Sequence, residues 1–534
     1  MSAHTPQNQT SGPNNNMKAF NYIVVGGGSA GAVVASRLTE DPDISVLLIE
    51  AGGAGTAPFL QVPNGIYFVK GSARYHWPMA IEPDPTREGR REMLTCGRGL
   101  GGGSSINGMV YVKGLRSDFE TWQAIAGTEW NVEAVNHAYN KAETALTIRP
   151  PAPMHPVALK FLQSAHAIGL PENSTDLLRT GCGAMPCPSS AAHGIRQSTA
   201  RGYLKPARNR RNLTTLTHSV VTRLLVENGR VRGVMYVKAG REHTAYTDGE
   251  VILCAGAINT PRLLMCSGIG PADHLRSVGV TPILDQPQIG EGLQDHPCVW
   301  VSARVKERTW NDDMGPVGMV RAGVQWLFSR TGPAASAMCH VTLFGSSESA
   351  EGIPNFQMSF MPAGYVVRDD GVAFIPTSSV SAAVSLCRPS GRGSVRLRSS
   401  RFDDAPIIQY RLLDSDQDIL TLTAACRTAR QIYASGPMRD IVVDEASPGK
   451  AVESDSEWKQ YIQRHAMNMC HPVGTCGMGI DERAVVDSRL RLRGLEGLRV
   501  ADASVMPAIT SGNTNAPSIM IGERAAGFIL DDRH

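Results

Sequence analysis

The sequence predicts a mixed α/β fold, α+β as a whole, in which a wound parallel-sheet unit is interleaved with an antiparallel-sheet unit. Three observations predict it. The chain has 534 residues, too many for one ordinary core, so two joined units are expected. Alternating strand and helix patterns dominate residues 18–145, 204–298 and 465–534. Between them, 146–203 and 299–464 break that alternation, and AVSLCRPSGRGSVRLRSS, residues 383–400, reads as two antiparallel strands around a Gly/Pro/Ser turn.

The elements follow in order. MSAHTPQNQTSGPNNN is polar, has no apolar h-region and no twin-Arg pair, so residues 1–17 read as a disordered tail and not a signal peptide. FNYIVV, residues 20–25, is a β-branched and aromatic run ending at GGGSAG, Gly26 to Gly31. AGAVVASRLTED continues as a helix with Val33, Val34 and Leu38 on its apolar faces. VLLIE, Val46 to Glu50, is a second buried parallel strand ending on an acid.

This strand–turn–helix–strand unit is Rossmann-like, with a specific physical logic. Gly26 permits the tight turn, Gly28 lets backbone approach a pyrophosphate, and Gly31 lets helix and strand pack closely. The helix start, with Ser29 and Ala30 beside it, offers free N–H groups and a positive dipole end to phosphate. Glu50 lies about twenty residues on, where a carboxylate accepts from ribose hydroxyls. An acid suits an unphosphorylated ribose, so FAD or NAD fits better than NADP.

A second glycine-rich stretch, CGRGLGGGSSINGMVYVKG, starts at Cys96 and brings backbone close to something flat or anionic. MNMCHPVGTCGMG, residues 467–479, sets His471 between two cysteines. Near the end, Pro517 suits a first helical turn and SIMIGERAAGFIL has helical apolar spacing.

Composition excludes several classes. Apolar residues are 42% and charged residues 19%, and no run of about 18 apolar residues occurs, so no membrane span is expected. Net charge is +3 with ArgAsnArgArg, 208–211, as the densest basic patch, so nucleic acid is not an expected partner. Eleven scattered cysteines give no disulfide framework and favour a reducing, cytoplasmic setting. Cys182 and Cys187 read as free thiols. No HExxH, CxxC or carboxylate cluster appears, so no metal is expected.

The chain resembles the glucose–methanol–choline (GMC) flavoprotein oxidoreductases, in the choline-dehydrogenase-like or bacterial alcohol dehydrogenase branch. The resemblance rests on GGGSAG with Glu50, GRGLGGGSSINGMVYVKG at 97–114, GAINTPRLLMCSGIGP at 256–271, GEGLQDHP at 290–297, HPVGTCGMG from His471, and VADASVMPAITSGNTNAPSIMIGERAA at 500–526. It implies FAD, an FAD-binding domain (18–145, 204–298, 465–534) interleaved with a substrate domain (146–203, 299–464), and alcohol oxidation. It implies that Gly101, Ser105, Asn107, Gly108, Met109 and Val110 lie along the flavin, and that Val221 meets adenine through its backbone. Asp502, Ala503 and Asn515 are expected as remaining FAD contacts. Some choline-oxidising relatives carry a flavin-linked histidine where this chain has Ile106, so FAD is expected to be non-covalent.

Alcohol oxidation needs a base within hydrogen-bond reach of the hydroxyl while a hydride leaves for the flavin. The resemblance puts His471 in that place and Asn513 at the position of its partner. Asn cannot take a proton, so His471 is expected to be the base and Asn513 to position the substrate oxygen. His296, before Pro297, reads as structural. His76, His218 and His340 have no nearby ligand set. Met358, Phe360 and Met361 read as core. The 146–203 region is short for the family, which implies a more open entrance. Low aromatic content, 6%, disfavours an aromatic cage for choline.

The expected activity is oxidation of a primary alcohol, polyol or sugar-like compound, with a quinone or dye-type acceptor. A quinone link would make the protein peripheral to a membrane. The alternatives are an O2-using alcohol oxidase, an FAD-containing hydroxynitrile lyase, a non-enzymatic flavin binder, and, on the first motif alone, a nicotinamide enzyme.

Overall fold

The computed structural model describes residues 19–69, 71–176, 181–349, 352–368 and 371–533. The expected disordered tail lies outside them.

Phe20–Val25 starts a parallel sheet because its apolar run is buried on both faces. Val46–Ile49 pairs with it on one side, Val25 opposite Ile49, and Leu213–Leu216 extends the sheet beyond. On the other side Arg241–Leu253 pairs in parallel, Val25 opposite Leu253, and Leu498–Val500 closes the sheet. The early half of Arg241–Leu253 leaves this sheet and pairs antiparallel with Arg230–Lys238, which pairs with Ser219–Glu227. Three distant parts of the chain thus end side by side at Val25, Leu253 and Val500, opening a crevice beyond the carboxyl ends of the strands.

Helix Gly31–Leu38 follows the first glycine turn and lies against the C-terminal helix Asn515–Asp531. The close crossing needs Gly522, where an added Cβ would stand 2.8 Å from the Ala30 carbonyl oxygen.

A second sheet is antiparallel throughout. Its order is Val442–Ser447, Pro297–Val305, Ser379–Leu386, Phe356–Met361, Val341–Gly345, Gly183–Pro186. One face, with Val299, Val301, Val384, Met358 and Phe360, packs on helices Pro156–Ala167 and Asp416–Tyr433. Met358 and Phe360 are therefore core, as the sequence suggests. Period-2 alternation turns Gln357, Ser359 and Met361 to the other face.

The strand pair expected around Pro389 is corrected. Both strands form, but not with each other. Ser379–Leu386 is central in the second sheet, whereas Gly393–Arg396 joins Glu291–Leu293 and Ile407–Gln409 in a separate three-stranded sheet. The glycines there serve close approach and not a hairpin. A Cβ at Gly391 would stand 1.8 Å from Arg411 O, and one at Gly393 2.0 Å from Gln409 O.

Among the described residues no helix is long and apolar enough to cross a membrane.

Candidate active site

The two glycine loops meet at the crevice. Gly26 has φ +97°, and a Cβ there would strike Cys254 O at 2.5 Å. A Cβ on Gly31 would lie 1.9 Å from Gly26 O, so only glycine permits the helix to start there. Gly28 differs, since its nearest obstacles stand 3.9 Å away and its Cβ side is open. Gly101 N donates to Gly27 O at 2.7 Å, and Gly102 packs on the Gly28 backbone.

Glu50 is buried and fastens these loops. Its carboxylate accepts from the backbone N–H groups of Gly27 (2.8 Å), Gly52 (2.7 Å) and Gly99 (3.0 Å). Burial raises its pKa and the three donors pull it back. Gly26, Gly28, Glu50 and Val221 line one cavity, together with Ser219, Asn259 and Gly102. At its edge Asn515 donates to Ser29 Oγ at 2.7 Å, joining the C-terminal helix start to the first loop. Asp502 accepts from Gly256 N, Thr260 Oγ1 and Ser504 N, so its carboxylate ties the helix at 256–266 to the turn at Ala503.

The second loop is clamped by an arginine from the Ile195–Arg196 strand that sequence reasoning missed. Arg196 is fully buried and has no carboxylate partner among the described residues. Its Nη1 donates to Asn107 O (2.6 Å) and Asn107 Oδ1 (2.8 Å), and its Nη2 to Pro63 O (2.9 Å). Burial lowers its pKa to about 9, which leaves it charged at neutral pH. Asn107 Oδ1 also accepts from Met109 N, and Met109 sits at φ +66°, a left-handed backbone that this clamp secures. Ser105 Oγ donates to Leu100 O, no atom approaches a Gly108 Cβ within 4 Å, and Val110 bridges Ser189.

His471 and Asn513 do meet. Asn513 Nδ2 lies 3.2 Å from His471 Nε2, and Asn513 Oδ1 accepts from Gln357 Nε2 at 3.4 Å. The residue missed here is His296, read from sequence as structural. Its Nδ1 lies 3.0 Å from His471 Nδ1, and its Nε2 lies 3.3 Å from Cys387 O. A carbonyl only accepts, so His296 Nε2 carries the proton and its Nδ1 is a lone pair. His471 Nδ1–H therefore donates to His296, which leaves His471 Nε2 as an unprotonated acceptor facing Asn513. Burial, then the repulsion that would follow if both rings were protonated, hold His471 well below the usual histidine range, and burial lowers His296 to about 4.

Asp295 fastens the backbone of both histidines. It accepts from His471 N (3.0 Å), His296 N (2.8 Å) and Tyr410 Oη (3.0 Å), and burial raises it to about 7. The signal for it was the Asp295–His296 pair directly ahead of a strand, whose pairing with Met467–Asn468 brings it under His471.

The second sheet supplies a wall to this pair. Gln357 stands opposite Ser385, and Ser385 opposite Cys298, so all three share a face with His296 two residues earlier. Ser359, Ala383 and Thr342 form the next row. None of these carries a charge. The Ser385 and Ser359 hydroxyls make no hydrogen bond among the described residues.

Residues 20–298 and 389–522 match the N- and C-terminal profiles described as GMC oxidoreductase. The chain belongs to the GMC oxidoreductase family. It is 36% identical to an oxygen-dependent choline dehydrogenase of Pectobacterium carotovorum subsp. carotovorum, over 96% of this chain and 94% of the relative. The same identity and 96% coverage hold for one of Yersinia pestis, over 93% of that protein. Its fold superposes on pyridoxine 4-oxidase from Mesorbium loti with TM-score 0.86 and 31% identity, covering 96% and 99% of the two chains. A formate oxidase variant from Aspergillus oryzae gives 0.88 and 26%, covering 96% and 98%.

As a GMC oxidoreductase the protein is an FAD-dependent enzyme. The residues present fit that cofactor. The Gly28 side is open, the crevice is bordered by two glycine loops and a helix start, and Glu50 lines the cavity. All eleven cysteines are free thiols. Among the described residues no group of three His, Cys, Asp or Glu converges as for a metal.

Proposed function

We propose that this GMC oxidoreductase oxidises a small, neutral, hydroxyl-bearing alcohol to its carbonyl. The observation carrying this reading is the hydrogen-bonded series Cys387 O, His296, His471, Asn513, which leaves one lone pair, His471 Nε2, at the open end. That atom takes the hydroxyl proton. The substrate hydroxyl takes the place of Asn513 Nδ2 at that lone pair, and the Asn513 amide, held through Oδ1 by Gln357, donates to the substrate oxygen. FAD, when bound, supplies the two-electron acceptor for the hydride. The residues that hold it are the Gly26–Gly31 turn, Glu50, Val221, the Gly101–Val110 loop and the start of the C-terminal helix, with Asp502 and Ala503 supporting that end. Ile106, buried against Leu60 and Val69, has no group able to bond the flavin, which supports non-covalent attachment.

The wall supports the substrate class. Ser385, Ser359 and Gln357 offer hydroxyl and amide partners, which suit a polyol or sugar-like compound. No carboxylate stands on this wall to pair a quaternary ammonium, but Trp300, opposite Ala383, and Tyr365, 5.1 Å from it between ring centroids, present aromatic faces, so choline is tested beside the neutral alcohols.

The test is an anaerobic panel of monoalcohols, polyols, sugars and choline read by flavin bleaching, followed by oxygen. Bleaching by neutral alcohols supports the reading. No bleaching with any alcohol, together with cleavage of a hydroxynitrile, replaces it by the lyase. Fast reoxidation by air makes the enzyme an oxidase, and slow reoxidation with fast turnover on a quinone or dye makes it a dehydrogenase. His471→Ala should slow bleaching by roughly 10²–10⁴-fold. Near-normal bleaching in that variant ends the proposed base role.

A further inference from the structure

Helix Pro316–Ser329 lies in the excursion between two strands of the second sheet, Pro297–Val305 and Val341–Gly345. It turns its apolar side outward. Val317 is 84% exposed, Val320 67%, Val324 51%, Leu327 59% and Phe328 83%. Their spacing, three and four residues apart, makes one continuous stripe. The single buried side chain of this helix is Trp326, on the opposite face, whose indole donates to Gly194 O at 2.6 Å. Among the described residues Trp326 is the one side chain of this helix that is buried, and the stripe on the other face stays exposed. Such a concentration of large apolar groups on one element marks an interaction surface.

Charge decides what covers it. From Met314 to Ser347 the sequence carries Arg321 and Arg330 and no Asp or Glu. Arg321 flanks the stripe, and with Arg308 it neutralises Asp313 at the helix start. Arg330 ends the helix and lies over Trp326, 3.7 Å from the ring centroid. A second copy meeting this face by a two-fold axis would bring Arg321 and Arg330 of both copies together, with Asp313 already shared between Arg308 and Arg321. The polar N-terminal sequence MSAHTPQNQTSGPNNN has no Leu, Ile, Val, Phe or Trp with which to cover the stripe.

We propose that this helix docks the protein on an anionic lipid surface, lying in the headgroup plane with Val320, Val324, Leu327 and Phe328 inserted and Arg321 and Arg330 against the headgroups. This binding is independent of the reaction proposed above. Trp326 bonds the hairpin that carries Arg196, so the docked face belongs to the part of the molecule that borders the flavin loop.

The experiment uses the flavin-loaded full chain. It is sedimented with vesicles of phosphatidylcholine plus phosphatidylglycerol, and with phosphatidylcholine alone. The wild type should pellet with the anionic vesicles, less with neutral ones, and be released by salt. Val320→Ser/Phe328→Ser should bind roughly tenfold more weakly or worse, with flavin content and melting temperature unchanged. If the double variant loses flavin, Phe328→Ser alone is read the same way. Wild type that stays in the supernatant with anionic vesicles overturns the proposal, as do variants that bind like wild type. A wild-type dimer that the double variant makes monomeric in sedimentation velocity, without vesicle binding, assigns the face to a second copy instead.

Discussion

In the proposed reaction His471 Nε2 is the base because of an atom that it does not touch. The Cys387 carbonyl sets the His296 tautomer, and His296 sets that of His471. A substitution at His296 therefore acts on protonation more than on packing. His296→Leu removes the acceptor for His471 Nδ1–H, and kcat/KM for flavin reduction should fall on the order of 10²-fold, by analogy with losses of a base-orienting partner. His296→Gln keeps an amide oxygen there and should restore part of that loss. Equal losses in the two variants would show that the ring's shape, and not its lone pair, is what matters. On the wall, Ser385→Ala should raise KM for a polyol several-fold while leaving that for a monoalcohol of equal length near wild type, since one hydrogen bond to a neutral group contributes about 1 kcal/mol. Steady-state kinetics on the two substrates decide it.

The glycine turns separate folding from binding. Gly31→Ala places a methyl 1.9 Å from Gly26 O, a backbone atom that cannot move aside. That chain should yield little folded protein. Gly28→Ala meets nothing nearer than 3.9 Å and has no positive φ, so it should fold. Its methyl instead occupies the open side where phosphate approaches, so FAD content should drop. Purified protein with normal flavin from Gly28→Ala would place the pyrophosphate elsewhere. The Asn107 loop depends similarly on Arg196. Arg196→Met removes the donors to Asn107 O, Asn107 Oδ1 and Pro63 O and leaves them buried, a loss of roughly 2–4 kcal/mol. A lower melting temperature and faster flavin release in dilution are the expected readouts.

Across the molecule, buried neutral histidines link stability to acid. His340 accepts from His155 N at 3.0 Å through Nδ1, and its Nε2 lies 2.9 Å from Ser336 Oγ. Burial, then the His155 charge, lower it to about 3. Between pH 6.5 and about 3 the unfolded chain binds a proton there and the folded chain does not. The stability from this group is thus full above pH 6.5 and is lost as pH falls through that window. His340→Gln should flatten the acid limb of the denaturation curve by up to about 1.4 kcal/mol per pH unit. An unchanged slope would mean that His340 titrates normally.

The parallel sheet with its glycine turn, and the C-terminal helix, were legible from local pattern: buried apolar runs, a tight turn and helical spacing each act within a few residues. The meeting of His471 with Asn513 was legible only through resemblance, since forty-odd residues separate them. His296, Arg196 and the Gln357–Ser385–Cys298 wall were not legible. Their roles depend on which strands pair across long stretches of chain, and a lone histidine or arginine reads the same wherever it goes. The strand from Gly393 shows the same limit, because its glycines answer to the backbone at Gln409 and Arg411 and not to the turn beside them. Local propensity wrote the elements of the parallel-sheet unit; long-range register decided which carbonyl faces which histidine, and so which nitrogen is free to take a proton.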